Sequence, residues 1–295
     1  MKKISARNRQ RLEFALFNTP AVIFVSLAIY IPFIMSMYYS LTQWNGISKA
    51  AVFVGLDNFS KLFAGDSGFN HAAWFTARYS LLFIILVNVL AIFLAVQLDK
   101  KLRSANVLRA AFFVPYILSL VIVGFIWRFI FSQGFNALYE MTHWSIFELS
   151  WLGDPQLAFW SVLFVSIWQS IGFYIVIYIA GLQSIPAELN EAAIVDGTSP
   201  GQRFFYITLP MLAPSLTTAF FMALVNSIKV FDIIFSLTGG GPGGSTYSVT
   251  FNVYVEAFQN NNYGYGTAKA LILFLAVVII TTLQLRFFKS REVES

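Results

Sequence analysis

Residues able to do covalent or acid–base chemistry are scarce in this chain and do not gather. Cysteine is absent, which removes a disulfide framework, a thiolate nucleophile and a Cys-type metal site. The two histidines, His71 and His143, lie far apart and away from carboxylate clusters, so no metal site is expected there. No Ser/His/Asp set or carboxylate pair suggests catalysis. Gly239-Gly240-Gly241-Pro242-Gly243-Gly244-Ser245-Thr246 imitates a phosphate-binding loop, but Ser245 stands where that loop needs lysine. Three groupings remain. Lys229 and Asp232 are three apart, which predicts a shared helix face and mutual neutralisation. Ser166, Trp168, Gln169, Ser170, Phe173 and Tyr174, with Asn226 and Ser227, are set in otherwise apolar sequence, where such side chains either hydrogen-bond between helices or face a pathway. Glu188, Glu191 and Asp196 form an acidic patch.

The elements that hold these residues follow from composition. The 295 residues are 58% hydrophobic and 11% charged, with 32 Phe, and the mean hydropathy is +0.70. An ordinary soluble domain is about a quarter charged. Six stretches are long and apolar enough to span a bilayer, at 15–41, 75–98, 107–131, 158–182, 212–237 and 268–288. Continuous apolar runs exclude the alternating segments of an outer-membrane barrel, and backbone groups in hydrocarbon must pair within each span. The expected fold is therefore all-α and polytopic, with six transmembrane helices.

Basic residues predict the orientation. With the N-terminus in the cytoplasm, Lys2, Lys3, Arg7, Arg9, Arg11, Lys100, Lys101, Arg103, Arg109, Arg203, Arg286, Lys289 and Arg291 fall inside. Lys49, Lys61, Arg78, Arg128 and Lys269 fall at outer loops or helix ends. This is the positive-inside pattern, and it places both termini in the cytoplasm. The first span is too long for a cleaved signal, and the bulky Met35-Ser36-Met37-Tyr38-Tyr39 follows it, so it reads as a retained helix. One membrane domain, 15–288, lies between a cytoplasmic segment 1–14 and a tail 289–295, without internal repeats. The outer loops are expected at 42–74, 132–157 and 238–267, the first with a short surface helix over 53–63 capped by Asp57 or Asn58.

The inner stretch 183–211 is patterned beyond a plain connector. Pro186 suits an early helical position and Gly197 a left-handed helix end. Ser199, Pro200 and Gln202 spell the start of a second helix closed by a capping box. Phe204, Phe205 and Ile207 give that helix an apolar side, and Pro210 marks its junction with the next span. The result is a helix–turn–helix with Gly197 at its bend, small at Ala192 and Ala193 and negative at Glu188, Glu191 and Asp196. Physics alone leaves open whether it docks a partner or only closes the bundle.

Glu191-Ala192-Ala193-Ile194-Val195-Asp196-Gly197, followed by Phe204/Phe205, Ile207, Leu209 and Pro210, resembles the EAA loop of permease subunits in binding-protein-dependent ABC importers. Thr198 departs from the alanine usual there. Leu237-Thr238-Gly239-Gly240-Gly241-Pro242, Phe112-Phe113-Val114-Pro115-Tyr116 and Val54-Gly55-Leu56-Asp57-Asn58-Phe59 are similar to elements of the carbohydrate permeases within that group. The resemblance covers nearly the whole chain. It implies a type I importer permease core in a prokaryotic cytoplasmic membrane and a sugar or oligosaccharide cargo. The implied partners are a second homologous permease subunit, two cytoplasmic ATPase subunits and an extracytoplasmic solute-binding protein. ATP and Mg would be bound by the ATPases, and this chain would hold no cofactor, metal, catalytic residue or nucleic acid. It assigns ATPase coupling to Glu188, Glu191, Ala192, Ala193, Asp196 and Gly197. By alignment with the maltose permease it puts Gln169, Ser170, Phe173, Asn226, Ser227 and Val230 on the solute pathway. A permease for glycerol phosphates shares these elements. An ion-driven secondary transporter using Lys229 and Asp232 is the competing class, its signature being inverted repeats with interrupted helices, which the sequence does not display. A membrane enzyme lacks an acid/base cluster.

Overall fold

The computed structural model describes residues 6–100 and 104–289. Lys2, Lys3, Lys101, Arg103, Arg291 and the tail from residue 290 lie outside the described residues. α1 (Ala6–Val25) continues through a wide turn at Ser26–Tyr30 into α2 (Ile31–Tyr39). A small ribbon pairs β1 (Thr42–Gln43) antiparallel with β2 (Val52–Phe53), Thr42 opposite Phe53. Then come α3 (Asp57–Phe63), α4 (Ser67–Leu98), α5 (Ala105–Ile117), α6 (Leu120–Phe129), α7 (Phe135–Thr142) and α8 (Ser145–Glu148). The rest is α9 (Pro155–Gln183), α10 (Ala187–Val195), α11 (Pro200–Arg203), α12 (Leu209–Met211), α13 (Ala213–Ile228), α14 (Val249–Tyr254) and α15 (Tyr263–Lys289). Among the described residues five helices are long and apolar enough to cross a membrane: Glu13–Tyr39, Ser67–Leu98, Leu120–Thr142, Pro155–Gln183 and Tyr263–Phe288. A sixth crossing is made if Pro200–Met211 and Ala213–Ile228, bent by 70°, count as one. The polytopic all-α expectation is met, with the ribbon added.

Local chemistry explains where helices start and bend. Pro32 has no N–H, and its ring would crowd the carbonyl of Ala28 in a regular helix. The wide turn relieves this, with the Ile31 N–H reaching back to the Ser26 carbonyl. Asp66 caps α4 by accepting from the Phe69 N–H at 2.8 Å, so the helix starts well before residue 75 and the first loop is shorter than 42–74. Neither Asp57 nor Asn58 caps α3. Leu56 is its N-cap without a side-chain bond, and Asn58 instead donates to the carbonyls of Ser40 and Thr42, each at 2.9 Å. Those carbonyls follow the end of α2, and one amide satisfies both.

Two expected spans are interrupted. The third is not continuous over 107–131. Pro115 inside α5 offers no N–H to the Ala111 carbonyl, Leu118 and Ser119 are extended, and α6 restarts at Leu120. It then runs through a wide turn at Ile130–Gly134 into α7, so the following loop begins after Thr142 rather than at 132. The fifth is not continuous over 212–237. α13 stops at Ile228, residues 229–231 leave the helix, and helical turns resume up to Thr238. Lys229 and Asp232 therefore flank a break instead of sharing a helix face, and no ion pair joins them among the described residues. The last expected outer loop, 238–267, contains α14 and a wide turn at Val255–Gln259, and α15 begins at Tyr263 rather than 268.

The chain clusters into two compact units. In the larger, Asp66–Asn252 with the chain from Leu273, α4, α9 and α13 pack together, α5 lies on α9, and α6 packs on Ile234–Thr238. Phe75, Tyr79 and Phe83 stack along α4 with centroids 5.9 Å apart, and Tyr178 donates to Asn88 in the buried interior. A Cβ at Gly172 would collide with the Phe112 carbonyl, so only glycine lets α5 and α9 approach this closely. In the smaller unit, residues up to Gly65 with Val253–Ile272, Trp44 stacks on Tyr39 at 4.3 Å and meets Tyr263 edge-on at 5.2 Å. Lys269, read from sequence as an outer-end cation, is instead 1% exposed and pairs with Glu256 at 3.0 Å. Asn262 donates to the other Glu256 oxygen at 2.8 Å, and Tyr265 presents its face to Lys269 and Lys61. A buried lysine requires such a partner set.

Candidate functional site

Both interruptions open onto one cavity of about 630 Å³ in the larger unit. The first break supplies Tyr116, Leu118 and Leu120, and the second supplies Lys229, Val230, Phe231 and Asp232. α9 adds Ser166, Gln169, Ser170 and Tyr174, α13 adds Asn226 and Ser227, and α4 adds Tyr79 and Phe83. Non-helical backbone at membrane depth is tolerated only where protein buries it or a polar cavity takes its free groups. Gln169 shows the first solution. Its Nε2 donates to the Tyr116 carbonyl at 3.3 Å and points to that of Leu118 at 3.5 Å, which binds the break to α9. Ser166 and Ser170 donate back to Val162 and Ser166 carbonyls, both at 2.7 Å, and Ser227 donates to Leu224 at 3.1 Å. Their hydroxyl oxygens keep acceptor capacity. Asn226, Lys229 and Asp232 are exposed.

Five of the six pathway residues inferred from the sequence line this cavity: Gln169, Ser170, Asn226, Ser227 and Val230. Phe173 does not; it stacks at 5.0 Å on Tyr116, which does. Sequence reasoning missed Tyr79, Phe83, Phe231, Ile233, Tyr116, Leu118 and Leu120. Pro115 within an apolar run was the available signal for the last three. A larger cavity of about 940 Å³, lined by Leu86, Phe112, Trp127, Phe131, Trp151 and Trp168 among others, is almost wholly apolar and lacks the hydrogen-bonding groups a polar solute needs. Among the described residues no three or more His, Asp or Glu gather where a metal ion could be held.

The second feature is the loop formed by α10 and α11. Its sequence closes it with its own hydrogen bonds. Gly197 sits at φ +74°, its N–H bonds to the Ile194 carbonyl at 3.0 Å, and the Thr198 N–H bonds to the Ala193 carbonyl at 3.1 Å. This is the Schellman pattern. Thr198 adds its hydroxyl to the same Ala193 carbonyl at 2.6 Å, so the departure from alanine strengthens the turn. Ser199 and Gln202 make the full capping box. Pro186 is the N-cap of α10 rather than a helical residue. Glu188, Glu191, Ala192, Asp196 and Gly197 are exposed, whereas Ala193 is buried. Beside the acidic residues stands an apolar surface, with Val195 87% and Tyr206 80% exposed and Ile194 and Phe205 exposed as well. At the base of the loop, Gln183 donates to Asp99 at 3.3 Å, and Asp99 lies 3.9 Å from Arg109.

Residues 87–292 match the family described as binding-protein-dependent transport system inner membrane component. The chain is 39% identical over 279 residues to the probable starch degradation products transport system permease protein AmyD of Thermoanaerobacterium thermosulfurigenes, covering 95% of this chain and 94% of that protein. It is 39% identical over 264 residues to the multiple sugar-binding transport system permease protein MsmF of Streptococcus mutans, covering 90% and 91%. Its fold is similar to a chain in the crystal structure of a bacterial ABC transporter that imports the acidic polysaccharide alginate, with a TM-score of 0.80, 21% identity and 96% of each chain covered.

Proposed function

We propose, because this chain belongs to the binding-protein-dependent transport system inner membrane components, that it is the permease subunit through which a sugar or oligosaccharide crosses a prokaryotic cytoplasmic membrane. The family makes it a multi-pass transport component and not an enzyme. The cavity between the two helix breaks carries the reading of cargo. It offers amide, hydroxyl and phenol groups beside aromatic faces, the mixture that binds a hydroxyl-rich solute. Lys229 and Asp232 are opposite in sign, which favours a neutral cargo over a glycerol phosphate. The names of the relatives, which refer to starch products and multiple sugars, agree.

Energy enters from outside the chain. Two cytoplasmic ATPase subunits bind ATP and Mg, and the exposed loop of Glu188, Glu191, Ala192, Asp196 and Gly197, held in shape by buried Ala193, docks on one of them. A second homologous permease subunit completes the pathway, and both termini lie in the cytoplasm with the loop. Closure of the ATPases drives the bundle between inward- and outward-facing states as a rigid-body switch, and a solute-binding protein delivers cargo on the opposite side. The test is uptake of radiolabelled maltotriose and sucrose into proteoliposomes holding the full complex. ATP-dependent uptake that ignores ionophores is expected. Uptake abolished by ionophores and indifferent to ATP would instead make Lys229 and Asp232 an ion-coupled pair.

A further inference from the structure

The two breaks are held by different kinds of donor. At the first, Gln169 belongs to α9 in the packed interior. At the second, the donor comes from the segment that follows the broken helix and folds back on it. Ser248 is fully buried there. Its hydroxyl donates to the Val230 carbonyl at 2.6 Å and accepts from the Phe251 N–H at 3.1 Å, capping α14. A hydroxyl can do both at once, and an alanine neither. The next residue is anchored to α4, since the Val249 N–H donates to the Thr76 hydroxyl at 2.9 Å. The Phe251 ring meets Phe231, a residue of the break, at 5.9 Å. Between the break and Ser248 lie Gly239, Gly240, Gly241, Gly243 and Gly244, all at positive φ, and bonds such as Thr246 N–H to the Gly240 carbonyl at 2.9 Å close them into a compact turn. The geometry of the second break thus follows the turn and α14 beyond it, and that of the first follows α9.

We infer that Ser248 is a positioning residue of the cavity: its bond to the Val230 carbonyl sets how far the interrupted helix opens, and passes movement of residues 239–252 to residues 226–232. This rests on the reading of the cavity as the solute pathway. Because the chain has no cysteine, Ser170→Cys gives a single reporter on the cavity wall. The full complex is placed in nanodiscs and treated with a water-soluble methanethiosulfonate, and modification of this chain is followed by mass. Losing one net hydrogen bond should let Ser248→Ala raise the nucleotide-free labelling rate about three- to tenfold. Ser248→Thr, which keeps donor and acceptor, should label at the parent rate. Thr76→Val, which loosens the start of α14 but leaves the Ser248 bond to Val230 in place, should raise the rate less than Ser248→Ala does. An unchanged rate in Ser248→Ala, or an equal rise in Thr76→Val, overturns the inference. Should Ser248→Ala fail to assemble, amide exchange in the unaltered complex decides. Residues 227–233 and 249–252 must change together between nucleotide-free and ATP–vanadate states, and independent change refutes the link. If the reporter labels equally in both states, the pathway reading itself fails; if it responds to nucleotide but not to Ser248→Ala, only the role of Ser248 fails.

Discussion

Substitutions at Gly197 isolate what the bend of the α10–α11 loop contributes. A Cβ at this position meets nothing within 4 Å, and its φ is +74°. Any replacement therefore strains the backbone without a clash. The left-handed conformation costs an L-residue about 1–2 kcal/mol, with asparagine tolerated better and β-branched residues worse. A penalty of about 1 kcal/mol lowers the ratio of bent to unbent loop about fivefold, and about 2 kcal/mol lowers it about thirtyfold. The opposing bonds from Thr198 to the Ala193 carbonyl lie within the same turn and are lost with it. Uptake should therefore fall in the order Gly197→Asn, Gly197→Ala, Gly197→Val, with asparagine near parent and valine down by at most about thirtyfold. The assay is initial uptake rate in proteoliposomes normalised to the chain inserted, with ATPase retention measured by pull-down of the same membranes. Valine and asparagine variants with equal uptake would show that the bend is irrelevant to coupling. Loss of uptake with undiminished ATPase retention would move its role from docking to transmission.

Further outcomes follow from the buried polar groups. Gln169→Leu leaves the carbonyls at the first break without their donor, so it should lower thermal stability by about 1–3 kcal/mol and impair uptake; an unchanged melting temperature in detergent would refute the stitching role. Lys269→Met alone strands Glu256 and should destabilise by about 3–5 kcal/mol, while the double variant Lys269→Met/Glu256→Leu should recover much of the loss. Limited proteolysis of the folded chain against temperature reads this, and a double variant no better than the single would refute the pairing argument.

The spans and the loop were legible because both are written in local pattern. Apolar runs longer than a bilayer need no tertiary knowledge, and Gly197, Ser199 and Gln202 close a turn with partners only a few residues away. The cap at Asp66 was equally local, and the apolar boundary at 75 masked it. The second break was hidden for a physical reason. Hydropathy sums side chains and does not see the backbone, and Lys229, Val230 and Phe231 include neither proline nor glycine. The Val230 carbonyl at that break is taken by Ser248 from 18 residues away. Glu256 and Lys269 are 13 residues apart, a spacing with no helical meaning. The cavity residues from α9 and α13 were found, and those from α4 were not, because Tyr79 and Phe83 look like any apolar-face aromatics until the fold aims them inward.

The wide turns at Ser26–Tyr30, Ile130–Gly134, Phe204–Thr208, Ile234–Thr238 and Val255–Gln259 carry a different consequence. Each holds one residue more than the α-helical turn it replaces. A residue inserted in a straight helix rotates everything beyond it by about 100° and turns the wrong side to its neighbours. A wide turn absorbs that residue where it occurs. Phe131 lies within such a turn and Phe135 just after it, and both reach Trp151. These turns are therefore places where chain length can change by one residue while the helices on either side keep their partners, so that insertions and deletions in this architecture have somewhere to go besides the loops.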